Sequence, residues 1–316
     1  MLWPESGEKT KNTEFPDSEE YRLQLEEQTR KLIKELEELL SEGAPMKKTQ
    51  VGEEISYTYP KISLYYADLS GKYTYSWKAD YIYNSSSCVM TPFAYTVFKA
   101  ASEEKAEYDQ KIENLMSQNA PLDTLPEFNP EYNLDKVFTY GEENYVTGTG
   151  IIKNDEFGVQ YSHLELMSLL LKYNDYIAFN ELKSEYGISM LKKLAKSLDT
   201  TAMRSDVNTA TVNDLGKVMK AVYDFIESDA EYADMMKEAM LSSTHSEMIS
   251  YGVSPKKAAH QYGWGEEAYH DMGIVYDEHP YVLVIMTDMD EGSEEINKYI
   301  QKVAAKIDEI HEALYG

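Results

Sequence analysis

The sequence predicts an α+β protein, an antiparallel sheet flanked by N- and C-terminal helices with an all-helical lobe inserted between its strands. Three observations carry this. Apolar residues recur at helical spacing near both ends of the chain. Strand-like runs are confined to about residues 61–77 and 257–286, and the stretch between, about 86–245, reads as helices broken by turns. With 316 residues the chain can bury one large core, or two lobes sharing an interface.

Residues 1–17 are polar, carry Pro4 and Gly7, and read as a disordered linker. A first helix is expected over 17–41, with Leu25, Leu32, Ile33, Leu36, Leu39 and Leu40 on one face. Two strands, 61–67 and 72–77, are joined through Ser70-Gly71 as a hairpin. Within the helical lobe the plainest start is the capping box Ser162-His163-Leu164-Glu165, which leads into Leu166, Met167, Leu169, Leu170 and Leu171. Pro121, Pro126 and Pro130 mark a long irregular segment before it. Strands return at 257–263, 269–276 and 281–286. A last helix starting at Ser293 carries Ile296, Ile300, Val303, Ile307, Ile310 and Leu314. Residues 18–85 and 246–316 then form an α/β lobe and 86–245 a helical lobe, one domain overall.

The charge balance excludes several partners. Asp plus Glu number 56 against 30 Lys plus Arg, a formal net charge of −26, which repels nucleic-acid phosphates and anionic lipid. Cys88 is the single cysteine, so an intrachain disulfide and a cysteine-built zinc site are excluded. His270-Asp271, with His245, His260 and His279 nearby, looks like a metal or acid/base constellation, yet no H-x-x-x-H or H-E-x-x-H spacing accompanies it. The acidic stretch 288–295 lacks the Asp-x-Asp-x-Asp-Gly pattern of an EF-hand. No metal and no cofactor are expected. No run approaches the ~20 apolar residues of a membrane span, and no signal-peptide core is present.

Several phrases carry a family resemblance. His260-Gln261-Tyr262-Gly263-Trp264 leads into Ala268-Tyr269-His270-Asp271-Met272-Gly273-Ile274-Val275-Tyr276. Upstream stand Tyr81-Ile82-Tyr83-Asn84 with Thr91-Pro92-Phe93-Ala94-Tyr95-Thr96-Val97-Phe98, then Gly148-Thr149-Gly150-Ile151-Ile152. Tyr173-Asn174-Asp175-Tyr176-Ile177-Ala178-Phe179-Asn180-Glu181-Leu182 and Thr209-Ala210-Thr211-Val212-Asn213-Asp214-Leu215-Gly216 follow in order. Over roughly residues 55–316 the chain resembles the class A β-lactamases and penicillin-recognising serine hydrolases, and the resemblance implies their β-lactamase/transpeptidase-like fold.

It also implies where the family's catalytic groups would stand. Counting from Pro92 puts Ala94 at the serine and Val97 at the lysine of the S-x-x-K motif. Asn174-Asp175-Tyr176 replaces Ser-Asp-Asn, and Gln261-Tyr262-Gly263 replaces Lys-Thr-Gly. No E-x-x-L-N supplies a deacylating glutamate. Acyl transfer needs a hydroxyl nucleophile and a base to take its proton. Ala94 and Val97 offer neither, and Gln261 has no charge to hold a substrate carboxylate. Backbone donors of an oxyanion hole would be left with no reaction to serve.

The expectation is a catalytically inactive pseudoenzyme that binds or scaffolds. Tyr95, Tyr176, Tyr262 and Trp264 would make the cleft between the lobes narrower and more aromatic. Such a cleft is either filled by packing or serves as a binding surface for a glycan or peptide. The resemblance further implies export to the cell surface, with an anchor upstream of Met1. The partner would be cell-wall glycan, peptide or another envelope protein, with no nucleic acid, and the membrane reached only through that anchor. The alternative is an active serine/threonine hydrolase with a shifted nucleophile, Thr96 with Lys99. The literal match Ser102-Glu103-Glu104-Lys105 reads as a solvated helix face.

Overall fold

A computed structural model describes residues 19–51, 54–289 and 294–315 of the chain. The expected linker 1–17 and Ser293 lie outside the described residues. Helix α1 (Glu19–Glu42) is followed by a two-stranded hairpin, β1 (Lys47–Val51) and β2 (Glu54–Thr58). The sequence reading missed this hairpin because its residues are mostly polar and β2 is exposed throughout, so no buried face sets an alternating pattern. The main sheet begins with β3 (Ile62–Asp68) and β4 (Thr74–Trp77).

The chain then crosses into the helical lobe. After β5 (Tyr83–Asn84) a 3₁₀ turn, Ser86–Val89, runs into the long α2 (Met90–Ser117). An irregular stretch bearing the three prolines leads to β6 (Val137–Thr139), which pairs with β7 (Gln160–Ser162). The predicted capping box forms: Ser162 Oγ accepts from Glu165 N, and Glu165 Oε2 accepts from Ser162 N, opening α3 (His163–Tyr173). Then come α4 (Tyr176–Tyr186), α5 (Ser189–Ser197), β8 (Thr209–Ala210), α6 (Val212–Ile226) and α7 (Ala233–Leu241).

A short α8 (Ile249–Gly252) returns the chain to the sheet as β9 (Lys257–Gly265), β10 (Ala268–Tyr276) and β11 (Tyr281–Thr287), before α9 (Glu294–Tyr315). The five strands run β4-β3-β11-β10-β9, antiparallel throughout, with β9 on the edge. Side chains on β11 alternate between two cores. Val282, Val284 and Met286 face the helical lobe, while Leu283 and Ile285 join Leu36, Ile300 and Ile307 beneath α1 and α9. Burial on both faces explains why β11 reads as an unbroken apolar run.

Polar groups lock α9 to the sheet. Lys256 Nζ meets Asp277, Asp308 and Glu312 at 2.7, 2.6 and 3.0 Å. Tyr281 donates to Asp308 Oδ1 at 2.9 Å, and the Tyr66 hydroxyl pairs with His311 Nδ1 at 2.7 Å.

Candidate functional site

The site is built where the edge strand β9 meets the start of α2 and the α3–α4 junction. Asn174 closes α3 in the left-handed conformation (φ 55°), one that asparagine tolerates better than most residues. This bend turns its side chain towards the sheet. Gln261 Nε2 donates to Asn174 Oδ1 at 3.0 Å, and Thr91 Oγ1 donates to Gln261 Oε1 at 3.4 Å. All three residues are fully buried. The centre of the site is therefore a neutral ladder of two amides and a hydroxyl, closed to solvent.

Asp175 does something different. Its Oδ1 caps α4 by accepting from Ile177 N and Ala178 N, and its Oδ2 accepts from Ile151 N and Ile152 N. Four backbone donors saturate the carboxylate, so it pins the Gly148–Ile152 loop and has no lone pair to spare for chemistry. Gly150 is required there: its φ is +105°, and a Cβ would run into the Asp175 carboxylate. Tyr176, the first residue of α4, stays 42 % exposed with its ring beside Gly148 and Phe179.

The turn that opens α2 packs directly on β9. A Cβ on Gly263 would lie 2.9 Å from Cys88 Sγ and 3.0 Å from Cys88 N, so only glycine allows this approach. Ser86 Oγ donates to Trp264 O at 2.5 Å, and Cys88 Sγ lies 3.9 Å from Gln261 O. Burial pushes the Cys88 thiol well up, which keeps it protonated. Below the turn, His270 is held between Asn84 O, which accepts from its Nε2 at 2.8 Å, and Thr287 N, which donates to its Nδ1 at 3.1 Å. Both ring nitrogens are used, and burial holds its pKa down at about 4.

These contacts correct the sequence register of the S-x-x-K frame. The helix after the hairpin opens at Ser86–Val89, so Ser87 and Met90 occupy the opening positions, seven residues before Ala94 and Val97. Seven residues are nearly two helical turns, so Ala94 shares a side of the helix with Ser87 and mimics it in sequence. It lies two turns deeper, in the apolar core with Val97. Three consecutive serines, Ser85-Ser86-Ser87, directly after Tyr83-Asn84 were the signal available. Ser87 is largely buried, and among the described residues no side chain hydrogen-bonds its hydroxyl.

The shifted pair is corrected too. Thr96 Oγ1 donates to Phe93 O at 2.7 Å within its own helix, and Lys99 pairs with Glu103 at 3.0 Å on an exposed face. Neither meets Gln261. Of the four aromatic residues expected in the cleft, Tyr95 points towards α6, its ring 5.7 Å from that of Phe225. Tyr262 and Trp264 pack with the core beneath α1 and α9, the Tyr262 ring stacked on His245 at 3.9 Å and its hydroxyl lying beside the Asn174 side chain. Only Tyr176 stands exposed beside the buried ladder.

The histidines are structural. His260 Nδ1 meets Asp271 Oδ1 at 3.1 Å while Asp271 Oδ2 accepts from Ile249 N. Among the described residues no three His, Cys, Asp or Glu side chains converge as a metal site, and no helix is long and apolar enough to cross a membrane.

Antiparallel sheet, terminal helices and helical lobe together define a β-lactamase/transpeptidase-like fold. Residues 129–311, more than half of the chain, match the sequence pattern of the Beta-lactamase enzyme family, and the chain belongs to that family. The match begins beyond Ser87 and Met90, so their placement rests on geometry. The solved structures similar to this one include PBP-A, 16 % identical with a TM-score of 0.65 over 89 % of this chain and 96 % of that one. A class A β-lactamase from Mycobacterium abscessus is 16 % identical, with a TM-score of 0.63 over 89 % and 99 %. A β-lactamase from Sphaerobacter thermophilus is 14 % identical, with a TM-score of 0.63 over 80 % and 91 %. At such identity the likeness shows the fold alone. No curated protein matches the chain.

Proposed function

We propose that this protein is a catalytically inactive member of the β-lactamase fold, a binding or scaffolding protein of the cell envelope. One observation carries the reading: Gln261 is consumed in a buried neutral ladder with Asn174 and Thr91, and in the register we adopt it and Met90 stand where the family's motifs call for lysine. A serine hydroxyl is a weak nucleophile until a base takes its proton. Ser87 has no base within hydrogen-bond reach among the described residues. Losing members of a catalytic unit is strongly non-additive, so what is left supplies little rate.

Binding then falls to the rim. Tyr176 is exposed at the mouth, and Tyr145, Ile151 and Phe157 are exposed on the segment that Asp175 holds in place. Aromatic rings with polar tips suit a glycan or peptide of the cell wall, or another envelope protein. The net charge of −26 argues against nucleic acid.

A second reading rests on Ser87 itself. A serine that opens the helix beside Gly263 could accept an acyl group slowly without releasing it; a mutant of PBP-A was solved as an acyl-enzyme complex with penicillin G. Intact-mass spectrometry after incubation with a fluorescent penicillin separates the two. No added mass supports the inactive binder and directs work to glycan and peptide screens. A stoichiometric adduct lost in Ser87→Ala makes the protein a penicillin acceptor, and turnover of nitrocefin refutes the inactive reading outright.

A further inference from the structure

We infer that a groove between α2 and the C-terminal end of α6, separate from the Ser87 region, binds an aliphatic primary amine. The groove encloses about 630 Å³, within the usual range of roughly 300–1,000 Å³ for small-molecule sites. Its floor is Tyr95, set edge-on against Phe225 with ring centroids 5.7 Å apart. Tyr95 is only 7 % exposed, yet its hydroxyl has no hydrogen-bond partner among the described residues. The ring is buried but the hydroxyl tip still reaches solvent, so it opens into the groove as a hydrogen-bonding group that a ligand meets in place of water.

The charges around the floor say what that is. Glu103 and Asp109 are matched by Lys99 and Lys105. Asp224, Asp229 and Glu231 also line the groove, are exposed, and form no salt bridge among the described residues, with Lys105 near enough to act on Glu231 while it pairs with Asp109. The excess negative charge rejects anions. A metal ion fits poorly, because no three carboxylates among the described residues converge. An ammonium on a hydrocarbon stem satisfies every feature at once. Its N–H groups meet the Tyr95 hydroxyl oxygen, its charge lies over an aromatic floor, and its stem fills the space left by Ala221 and Ala230. The amine is either a free polyamine or the lysine side chain of a basic peptide.

Isothermal titration of the full chain with spermidine, and separately with acetyl-Lys-Lys-amide, tests this. The expected result is saturable one-to-one binding of at least one probe. It weakens tenfold or more in D224N/D229N/E231Q and in the groove-filling Ala221→Met, and weakens measurably in Tyr95→Phe. Binding of spermidine alone assigns a free amine; binding of the peptide alone assigns a partner's lysine. A control of equal charge change on exposed sites elsewhere, E27Q/E42Q/E113Q, should leave the affinity within twofold. Binding of neither probe overturns the inference. So does binding that the control weakens as much as the groove variants, because that is diffuse attraction to an acidic surface.

Discussion

Gln261 Nε2 donates to Asn174 Oδ1 at 3.0 Å across the two lobes, joining the edge strand of the sheet to the α3–α4 bend at a point with no solvent access. An amide-to-amide contact serves here because nothing in the site balances a charge. Asp175, the adjacent carboxylate, already accepts four backbone N–H groups. Replacing Gln261 by Met leaves Asn174 and Thr91 buried without their partner, and should cost about 1–3 kcal/mol in urea denaturation. Gln261→Lys should cost more, since it brings a charge into a dry site with no free counter-ion. A Gln261→Lys protein as stable as wild type would show the site to be wetter or more acidic than this geometry allows.

His270 gives the fold an acid-sensitive element. Its pKa falls from an ordinary 6.5 to about 4 in the folded protein, because burial disfavours the imidazolium. A depressed pKa means that the folded state favours neutral histidine. The contribution is complete above pH 6.5 and shrinks as the unfolded chain takes up a proton that the folded one resists. It is lost by about pH 4, with a maximum of roughly 3 kcal/mol. His163 and His311 are also lowered by burial and act in the same direction. Urea midpoints measured between pH 7 and 4 should fall steadily in wild type and more gently in His270→Gln. Parallel slopes in the two proteins would remove His270 from the account.

Gly263 is the closest approach in the same region. An added methyl would meet Cys88 Sγ at 2.9 Å, Cys88 N at 3.0 Å and Ser85 O at 3.1 Å, two of them backbone atoms that cannot swing aside. Gly263→Ala should therefore separate β9 from the Ser86–Val89 turn and cost about 1–3 kcal/mol, as overpacking usually does. In the same protein Cys88 should begin to react with a thiol reagent. In wild type it should stay silent until denaturant unfolds the chain, because the thiol is buried and kept protonated. A native wild-type protein that reacts at the rate of a free thiol would contradict this packing.

What the sequence disclosed depended on whether the pattern was periodic. The capping box at Ser162, the strands 257–286 and the apolar stripe of α9 each carry a repeat set by burial on one or two faces, and they stand in the structure within a few residues of expectation. The hairpin at Lys47–Thr58 is solvated and has no such stripe. At the site, the Asn174 and Gln261 positions could be read because fixed neighbours, Asp175 and Gly263, frame them. The S-x-x-K frame could not be placed so. The flanking proline is absent before Ser87, where Ser85 stands, and a proline appears only later as Pro92, while a slip of seven residues leaves the helix face unchanged. Tyr262 and Trp264 alternate with Gln261 along β9 and join the core beneath α1 and α9, yet the long Tyr262 side chain still brings its hydroxyl to Asn174, which alternation alone does not disclose.

Restoring two lysines should not restore an enzyme. Met90→Lys with Gln261→Lys would place ammonium groups at the two positions proposed here to match the family's motif lysines, with Ser87 still opening the helix. Yet Asn174 cannot relay a proton as a hydroxyl does, and Tyr176 presents a ring where an amide would hold substrate. No E-x-x-L-N motif supplies a glutamate to activate a deacylating water. Both lysines also enter sites that are now almost wholly buried, so circular dichroism must first establish that the double variant folds. A folded variant is expected to show no nitrocefin turnover above buffer, and at most a slow, stoichiometric adduct on Ser87. Sustained turnover by it would mean that two missing charges, and not the residues at Asn174 and Tyr176, account for the proposed lack of activity.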